Sequence, residues 1–482
     1  MRGPPVVLTN TLGRPVTNII SERGAVPMVV VNTLGEPVTL VSSGGEPVTL
    51  FNPNGTLWDY PFSLFANNEQ GAWYDPSDYS TLFQNSTGTT PVTAVEQPVG
   101  LMLDRSGRGN HATQATSASR PVLRARYNLL TYSEQFDNAA WTKNASSVTA
   151  NAGVAPDGTT TADKLVENSA TDFHSVRPTT SVGTIGATET LSVYAKAAER
   201  SWFVLQLGSN KTAYFNLSAG TIGTTASGTT ATITALANGW YRCSIAGERV
   251  ATQGNQIILA SADNTASYTG DGTSGILIWG AQLLTAADQT STGGAYQRIA
   301  AATDYDVSNP VWRPYLAFDG TDDWMPTQPA LDLSTDWTHV GGWQKTVAGG
   351  TFPFGLSAGS FAGIYSDNNA IWYVYDDAST LRVITPTNTS LNTSYVYSVE
   401  SAAGGAHANV IGRVNGVNGT SRQQYNDTAD AQGLALFTRV NTAFSSGMGG
   451  RFYGGVWVKR ALTGSELTAT EQWMAGKTGV TL

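Results

Sequence analysis

"DRSGRGNHATQATSASRPVL", residues 104–123, is small, polar and nearly free of bulky apolar side chains. It follows one strand-like run and leads into Asn128-Leu129-Leu130-Thr131-Tyr132, which reads as a fresh domain start. Either it is a linker, or it is the first part of a domain whose remainder lies elsewhere in the chain. The architecture of the whole protein turns on that choice.

The surrounding composition narrows it. The chain has 482 residues, enough for roughly two to four domains. Hydrophobic residues make up 41%, so real cores can form, while only 13% are charged, against about a quarter in ordinary globular chains. Gly, Thr, Ser, Ala and Asn fill the difference, and no heptad pattern occurs. Many short strands joined by Gly/Asn/Asp turns are therefore expected, an all-β protein. The net charge of −9 argues against nucleic-acid binding, which needs a basic face. The start, "MRGPPVVLTNTLG", has no apolar core of signal-peptide length, and no apolar run long enough to span a bilayer occurs. Folding in a cytosol without membrane insertion is the expectation. The single cysteine, Cys243, excludes a disulfide framework and reads as a small core residue.

Organisation follows from repeats and alternation. Gly13-Arg14-Pro15-Val16-Thr17, Gly35-Glu36-Pro37-Val38-Thr39 and Gly45-Glu46-Pro47-Val48-Thr49 share one Gly-x-Pro-Val-Thr pattern. Each marks a turn, with Gly free to take positive φ and Pro fixing its own φ. Residues 1–57 thus read as a thin hairpin arm that buries little by itself and calls for a partner surface; Pro15, Pro37, Pro47, Val38 and Val48 are its candidate anchoring residues. Residues 58–127 are aromatic-rich at first and then strand-like. Residues 128–303 contain about eight strands with clear period-2 alternation at Leu191–Ala195 and Trp240–Ile245, as in a sandwich or jelly roll. Residues 304–482 are strand-rich again and end in one helix, 464–475. Thr463 and Glu466 form its capping box, Leu467, Glu471 and Met474 mark one face, and Gly476 follows as terminator.

Two blocks carry a resemblance. Through "NLLTYSEQFDNAAWTK", "NGWYRCSI" and "ILIWGAQLL", residues 128–300 resemble the carbohydrate-binding-module-like jelly rolls of phage structural proteins. Through "DRSGRGNHATQAT", "YLAFDGTDDWM" and "FYGGVWVKRALTGSEL", the flanking residues resemble a concanavalin A-like (laminin-G-type) lectin fold. In that family the first two motifs are close neighbours; here the jelly-roll block separates them. The resemblance therefore implies a jelly roll inserted in a split lectin-like sandwich, 58–127 plus 304–482, which insertion at an exposed turn allows. "GAWYDPSDYSTLFQNSTGTTPVTAVEQPVG" is similar to a segment recurrent in phage virion proteins. Together these imply a virion fibre, tail or head, anchored to other virion proteins through 1–57. It would be made in the host cytoplasm without a signal peptide, assemble as a homo-oligomer (a trimer by family analogy) and attach to a host-surface glycan. A capsid-decorating protein without receptor binding, or a glycan-binding module of a bacterial carbohydrate-active protein, are the alternatives.

Candidate chemistry is sparse. Gly355-Leu356-Ser357-Ala358-Gly359 matches a nucleophile elbow, but its sequel reads as strand and turn, so a Gly-rich hairpin is expected. His111, His174, His339 and His407 are dispersed, and no close-set acid triplet of the glucanase type occurs; no enzyme activity is expected. Asp319, Asp322 and Asp323 could offer oxygens to Ca²⁺, as acidic loops of the family sometimes do, or cap a tight turn. For sugar binding, aromatic platforms beside polar groups are needed. Trp372, Tyr373 and Tyr375 with Asp376 are one candidate set and Trp202 another, with burial in a sandwich core as the plainer alternative for each.

Overall fold

The computed structural model describes residues 61–482 except 252–253, 310, 329–335, 347–350, 358–362, 367–371, 376–380, 384–391, 403–408, 420–421, 424–432 and 437–448. The anchoring candidates Pro15, Pro37, Val38, Pro47 and Val48 lie outside the described residues, as do Asp376 and His407. The protein is an all-β sandwich protein with a C-terminal helix. It divides into two compact units: the described residues up to Arg124 together with Arg313–Leu482, and Ala125–Trp312.

In the first unit, residues 104–123 are not a linker. Val122–Arg124 pairs antiparallel with Tyr315–Asp319, Arg124 opposite Tyr315 and Leu123 opposite Leu316. His111–Thr113 pairs with Met325–Gln328, which also pairs with Gly433–Leu436. Two sheets result, each of nine strands among the described residues. One is centred on Trp337–Lys345, flanked by Ser394–Ala402 and Gly449–Val458. Its inner face gives Leu123, Leu316, Trp337, Trp343, Tyr397, Phe452 and Trp457 to the core, against Leu82, Met102, Ala112 and Met325 of the other sheet. The rings of Trp337 and Trp457 stack at 4.8 Å.

The outer face of the first of these sheets carries the helix Gly464–Thr478. Thr463 and Glu466 form the expected capping box. Leu467, Glu471 and Met474 are all buried, with Glu471 accepting from Ser398 Oγ at 2.6 Å and pairing with Arg413 at 3.2 Å. The helix runs one turn further than expected, to a left-handed Gly479 rather than to Gly476. Buried Thr478 and the ion pair of Lys477 with Asp75 (2.7 Å) hold that last turn. Gly342 permits the close approach beneath it: a Cβ there would lie 2.3 Å from Met474 Sδ.

The second unit is a sandwich of two six-stranded sheets. One runs Thr221–Thr225, Lys211–Asn216, Trp202–Leu207, Gln256–Ala260, Ser175–Pro178, Trp141–Asn144. The other runs Thr230–Ala235, Trp240–Glu248, Thr188–Ala197, Gly275–Thr285, Ala162–Glu167, Ser146–Gly153. Alternating residues meet in one core, including Leu191, Val193, Phe203, Leu205, Phe215, Cys243, Ile245, Ile257, Leu259 and Ile278. Burial pushes the Cys243 thiol well above its ordinary range, so it is a core atom and not a nucleophile. A buried ion pair, Arg249 Nε to Glu189 at 2.7 Å, stands with both side chains fully enclosed. A short helix, Ala286–Thr292, has no counterpart among the sequence expectations. The ends of the unit are tied together. Gln297 Nε2 donates to Ala125 O, Gln297 Oε1 accepts from Tyr127 N, and Ala125 N donates to Tyr305 Oη. These bonds keep 125–127 and 304–312 in this unit, outside the 128–303 span anticipated from sequence.

Candidate functional site

The sheet of the second unit built around Trp202–Leu207 turns Phe203, Leu205 and Leu207 inward and Trp202, Val204 and Gln206 outward, as period-2 geometry requires. The register aligns the outward residues in cross-strand rows. Gln206 faces Gln256 and Thr212, Val204 faces Ile258 and Tyr214, and Trp202 faces Ala260 and Asn216. Ser175 faces Ile258 and Asn144, and Arg177 faces Thr142. The face is therefore graded. One end is apolar, where Trp202 and Tyr214 pack on Val204, Ile258, Ala260 and Ala266. The other is a groove of ≈ 350 Å³ lined by Thr142, Asn144, Phe173, Arg177, Gln206, Gln256 and Ile258.

Each lining side chain has a definable state. Ile258 is buried and forms the floor, while the Phe173 ring is 48% exposed at the rim. Asn144 Nδ2 donates to Phe173 O at 2.8 Å, and Thr142 Oγ1 shares a 2.9 Å bond with Thr179 Oγ1. Gln256 Oε1 accepts from Ser175 Oγ at 3.1 Å. Such a groove can offer hydrogen bonds to hydroxyls beside an apolar floor and an aromatic edge, the mixture that small-ligand sites use. No carboxylate lines it, so it holds no general acid in position.

Of the aromatic candidates, Trp202 lies on this outer face and not in the sandwich core; it is partly buried against the Val204–Ile258 cluster. Trp372, Tyr373 and Tyr375 lie on the strand Trp372–Tyr375 of the first unit, which pairs with Gly363–Ser366 and Leu381–Val383. The groove residues Gln206, Gln256 and Arg177 escaped sequence reasoning. Their signal was there: a lone glutamine interrupts the apolar run "WFVLQL" and another opens "QIILA", polar exceptions in strands that otherwise read as core.

The acidic candidates gather at the turn between Tyr315–Asp319 and Met325–Gln328. Carboxylate oxygens of Asp319, Asp322 and Asp323 all lie within 4.8 Å of one another. They are already engaged: Asp319 Oδ1 accepts from Thr321 N at 2.7 Å, Asp323 Oδ2 from Asp319 N at 2.9 Å, and Asp322 Oδ2 from Ser119 Oγ at 2.9 Å. Burial, with the charges of Asp319 and Asp322 adding to it, pushes Asp323 up to about 7. Three carboxylates are about half of the six to eight oxygens that Ca²⁺ takes, and what these oxygens do here is cap the turn and join it to residues 104–123.

The three described histidines hold structure. His111 Nδ1 accepts from Asp104 N at 3.0 Å. The His174 ring sits between the carbonyls of Ala145 and Tyr268. His339 Nε2 lies 3.0 Å from Tyr397 Oη, and burial lowers its pKa to about 3. Gly355–Ser357 of the elbow-like motif belong to the strand Thr351–Ser357, paired on both sides, and not to a strand-to-helix turn.

No family model matches the chain, and no curated protein matches it. Solved structures that match include the native heptameric SAP-like pentraxin of Limulus polyphemus, 13% identical over 33% of this chain and 79% of that one, with a TM-score of 0.25. The ligand-binding domain of botulinum neurotoxin serotype D, in complex with N-acetylneuraminic acid, is 8% identical over 35% of this chain and 45% of that one, TM-score 0.27. Trypanosoma rangeli sialidase in complex with sialic acid is 10% identical over 80% of this chain and 69% of that one, TM-score 0.28. The chain thus spans less than half of the neurotoxin chain it matches. TM-scores this low describe no shared domain arrangement.

Proposed function

We propose that this chain is a glycan-binding display protein and not an enzyme, and that its setting is a phage virion. There it would serve as a fibre-type appendage that attaches to a host surface. The observation that supports binding is the groove on the outer face of the Trp202–Leu207 sheet, where amides, a hydroxyl and a guanidinium surround an apolar floor beside half-buried aromatics. Hydroxyl-rich ligands are recognised by such amides, and stacking rings add apolar contact. The virion setting rests on the sequence resemblance. In it, residues 1–57 join the particle and other copies of the chain, a trimer by analogy, and many weak sites act together through avidity.

Glycan-array binding of the full chain tests the first half of this reading. Gln206→Ala with Gln256→Ala should lower affinity at least about tenfold, as loss of two hydrogen bonds predicts, with the native circular-dichroism spectrum retained. An array on which nothing binds sinks it. Deletion of 1–57 tests the second half: the remainder should fold but no longer join particles, and unchanged incorporation rules the arm out.

A further inference from the structure

Resting on that reading of the groove, we infer that its ligand is an anionic saccharide, one that carries a carboxylate or sulfate ester, and that Arg177 is the residue that selects it. Arg177 stands on Ser175–Pro178, directly opposite Thr142, on the outward face. It is half-buried in the groove wall, and its guanidinium makes no hydrogen bond or ion pair among the described residues. This is unusual within the unit, where Arg200 pairs with Glu167, Arg249 with Glu189 and Arg298 with Asp304. A cation held without a counter-ion, beside apolar Ile258 and Phe173, is poised for one supplied from outside.

The neighbouring groups fit the same ligand. None of the lining residues is an acid, although the chain as a whole carries a net −9. Gln206 and Gln256, opposite one another in the register, add amide N–H donors on the same side of the floor. A planar guanidinium matches carboxylate and sulfate oxygens with two parallel N–H donors, and such charge-assisted bonds are stronger than neutral ones. Neutral sugar hydroxyls can also accept from Arg177, but without the opposite charge that makes such bonds strong. The apolar end at Trp202 and Tyr214 continues the face away from the charge, so an extended saccharide would lay its acidic unit at Arg177.

The experiment titrates the full chain with three probes: a uronic-acid oligosaccharide, its carboxyl-reduced neutral counterpart, and a sulfated neutral oligosaccharide. At least one acidic probe should bind about tenfold or more tighter than the neutral one, which is the scale of one hydrogen bond to a charged group. Whichever acidic probe wins identifies carboxylate or sulfate as the source of the charge. Arg177→Gln should erase that preference, acidic and neutral probes then binding alike, while the unfolding temperature stays unchanged. Equal binding of acidic and neutral probes, or a preference that survives Arg177→Gln, overturns the inference and leaves the glycan-binding reading standing. No binding of any probe overturns the inference as well, and the glycan array then decides the broader reading separately.

Discussion

At the residue scale, Asp104 shows why a stretch that looks like filler is specific. Its buried carboxylate accepts from Trp73 N (2.9 Å), Ser106 N (2.8 Å), Ser106 Oγ (2.7 Å) and Asn110 N (3.0 Å). The small polar residues of 104–111 wrap this one group, and no bulky side chain is needed. Asp104→Asn turns an amide donor toward donors, so a loss of about 2–4 kcal/mol in urea unfolding is expected. The turn was legible from its glycines; the partner was not, because Trp73 lies 31 residues upstream. Asp323 gives a prediction in pH. Its folded pKa of about 7 lies above the ordinary carboxylate value, so the folded state prefers the protonated form. Its contribution is complete below about pH 4 and is lost as pH rises through 7. Compared with Asp323→Asn, the wild type should gain stability as pH falls across that window. A pH-independent difference between the two would rule this out. His339, held neutral by burial down to about 3, acts in the opposite sense, losing stability below pH ~6.5, so the comparison must be between variants and not on the wild type alone.

At the element scale, the C-terminal helix was read from local signals and began where those signals put it. Its cap is a Thr side chain on a backbone N–H with a Glu reaching back, and such a pair acts within one turn. Thr463→Ala should cost about 1 kcal/mol, read as a lowered urea midpoint at constant slope. The end was misread because termination is decided by tertiary contact. Gly476 faces open space and can stay helical, while Lys477 and Thr478 find partners on the first unit's own sheet and loops. The strands divide in the same way. Alternation at 188–197 and 240–248 announced their inward faces, but the groove collects single residues from different strands of one sheet. Arg177, Gln206 and Gln256 become neighbours only through register, which no local window contains.

At the scale of the whole molecule, the strand pairing of Arg124 with Tyr315 is the decisive feature. The chain leaves the first unit and re-enters it at two points that face each other across one antiparallel pair. Replacing 125–312 with a short hairpin turn should therefore leave a first unit that unfolds in one cooperative transition and keeps its near-ultraviolet aromatic signal. A product without that signal means that the first unit depends on the second for more than connection. The split was anticipated only through the resemblance of "DRSGRGNHATQAT" and "YLAFDGTDDWM" to motifs that are close neighbours in a lectin-like family; no local signal in either stretch names the other as its partner. Where the second unit ends was not legible, because Gln297 and Tyr305 secure it through bonds to the backbone of 125 and 127.

That doorway also sets an order of events during synthesis. Val122–Arg124 emerges from the ribosome long before its sheet partner Tyr315–Asp319; its other edge can already bond to residues 96–99, with Leu123 N donating to Gln97 O at 3.0 Å, but the edge that meets Tyr315–Asp319 stays open until that strand is made. The second unit is complete first and can fold as a unit on its own. Once folded, its bonds between Ala125 and residues 297–305 draw the two waiting ends together. The entropy of closing a very long loop is then already met when the first unit needs it. The inserted unit would thus work as a clasp in time, and damage confined to it, such as loss of the Glu189–Arg249 pair, is expected to slow maturation of a sandwich in which no residue has changed.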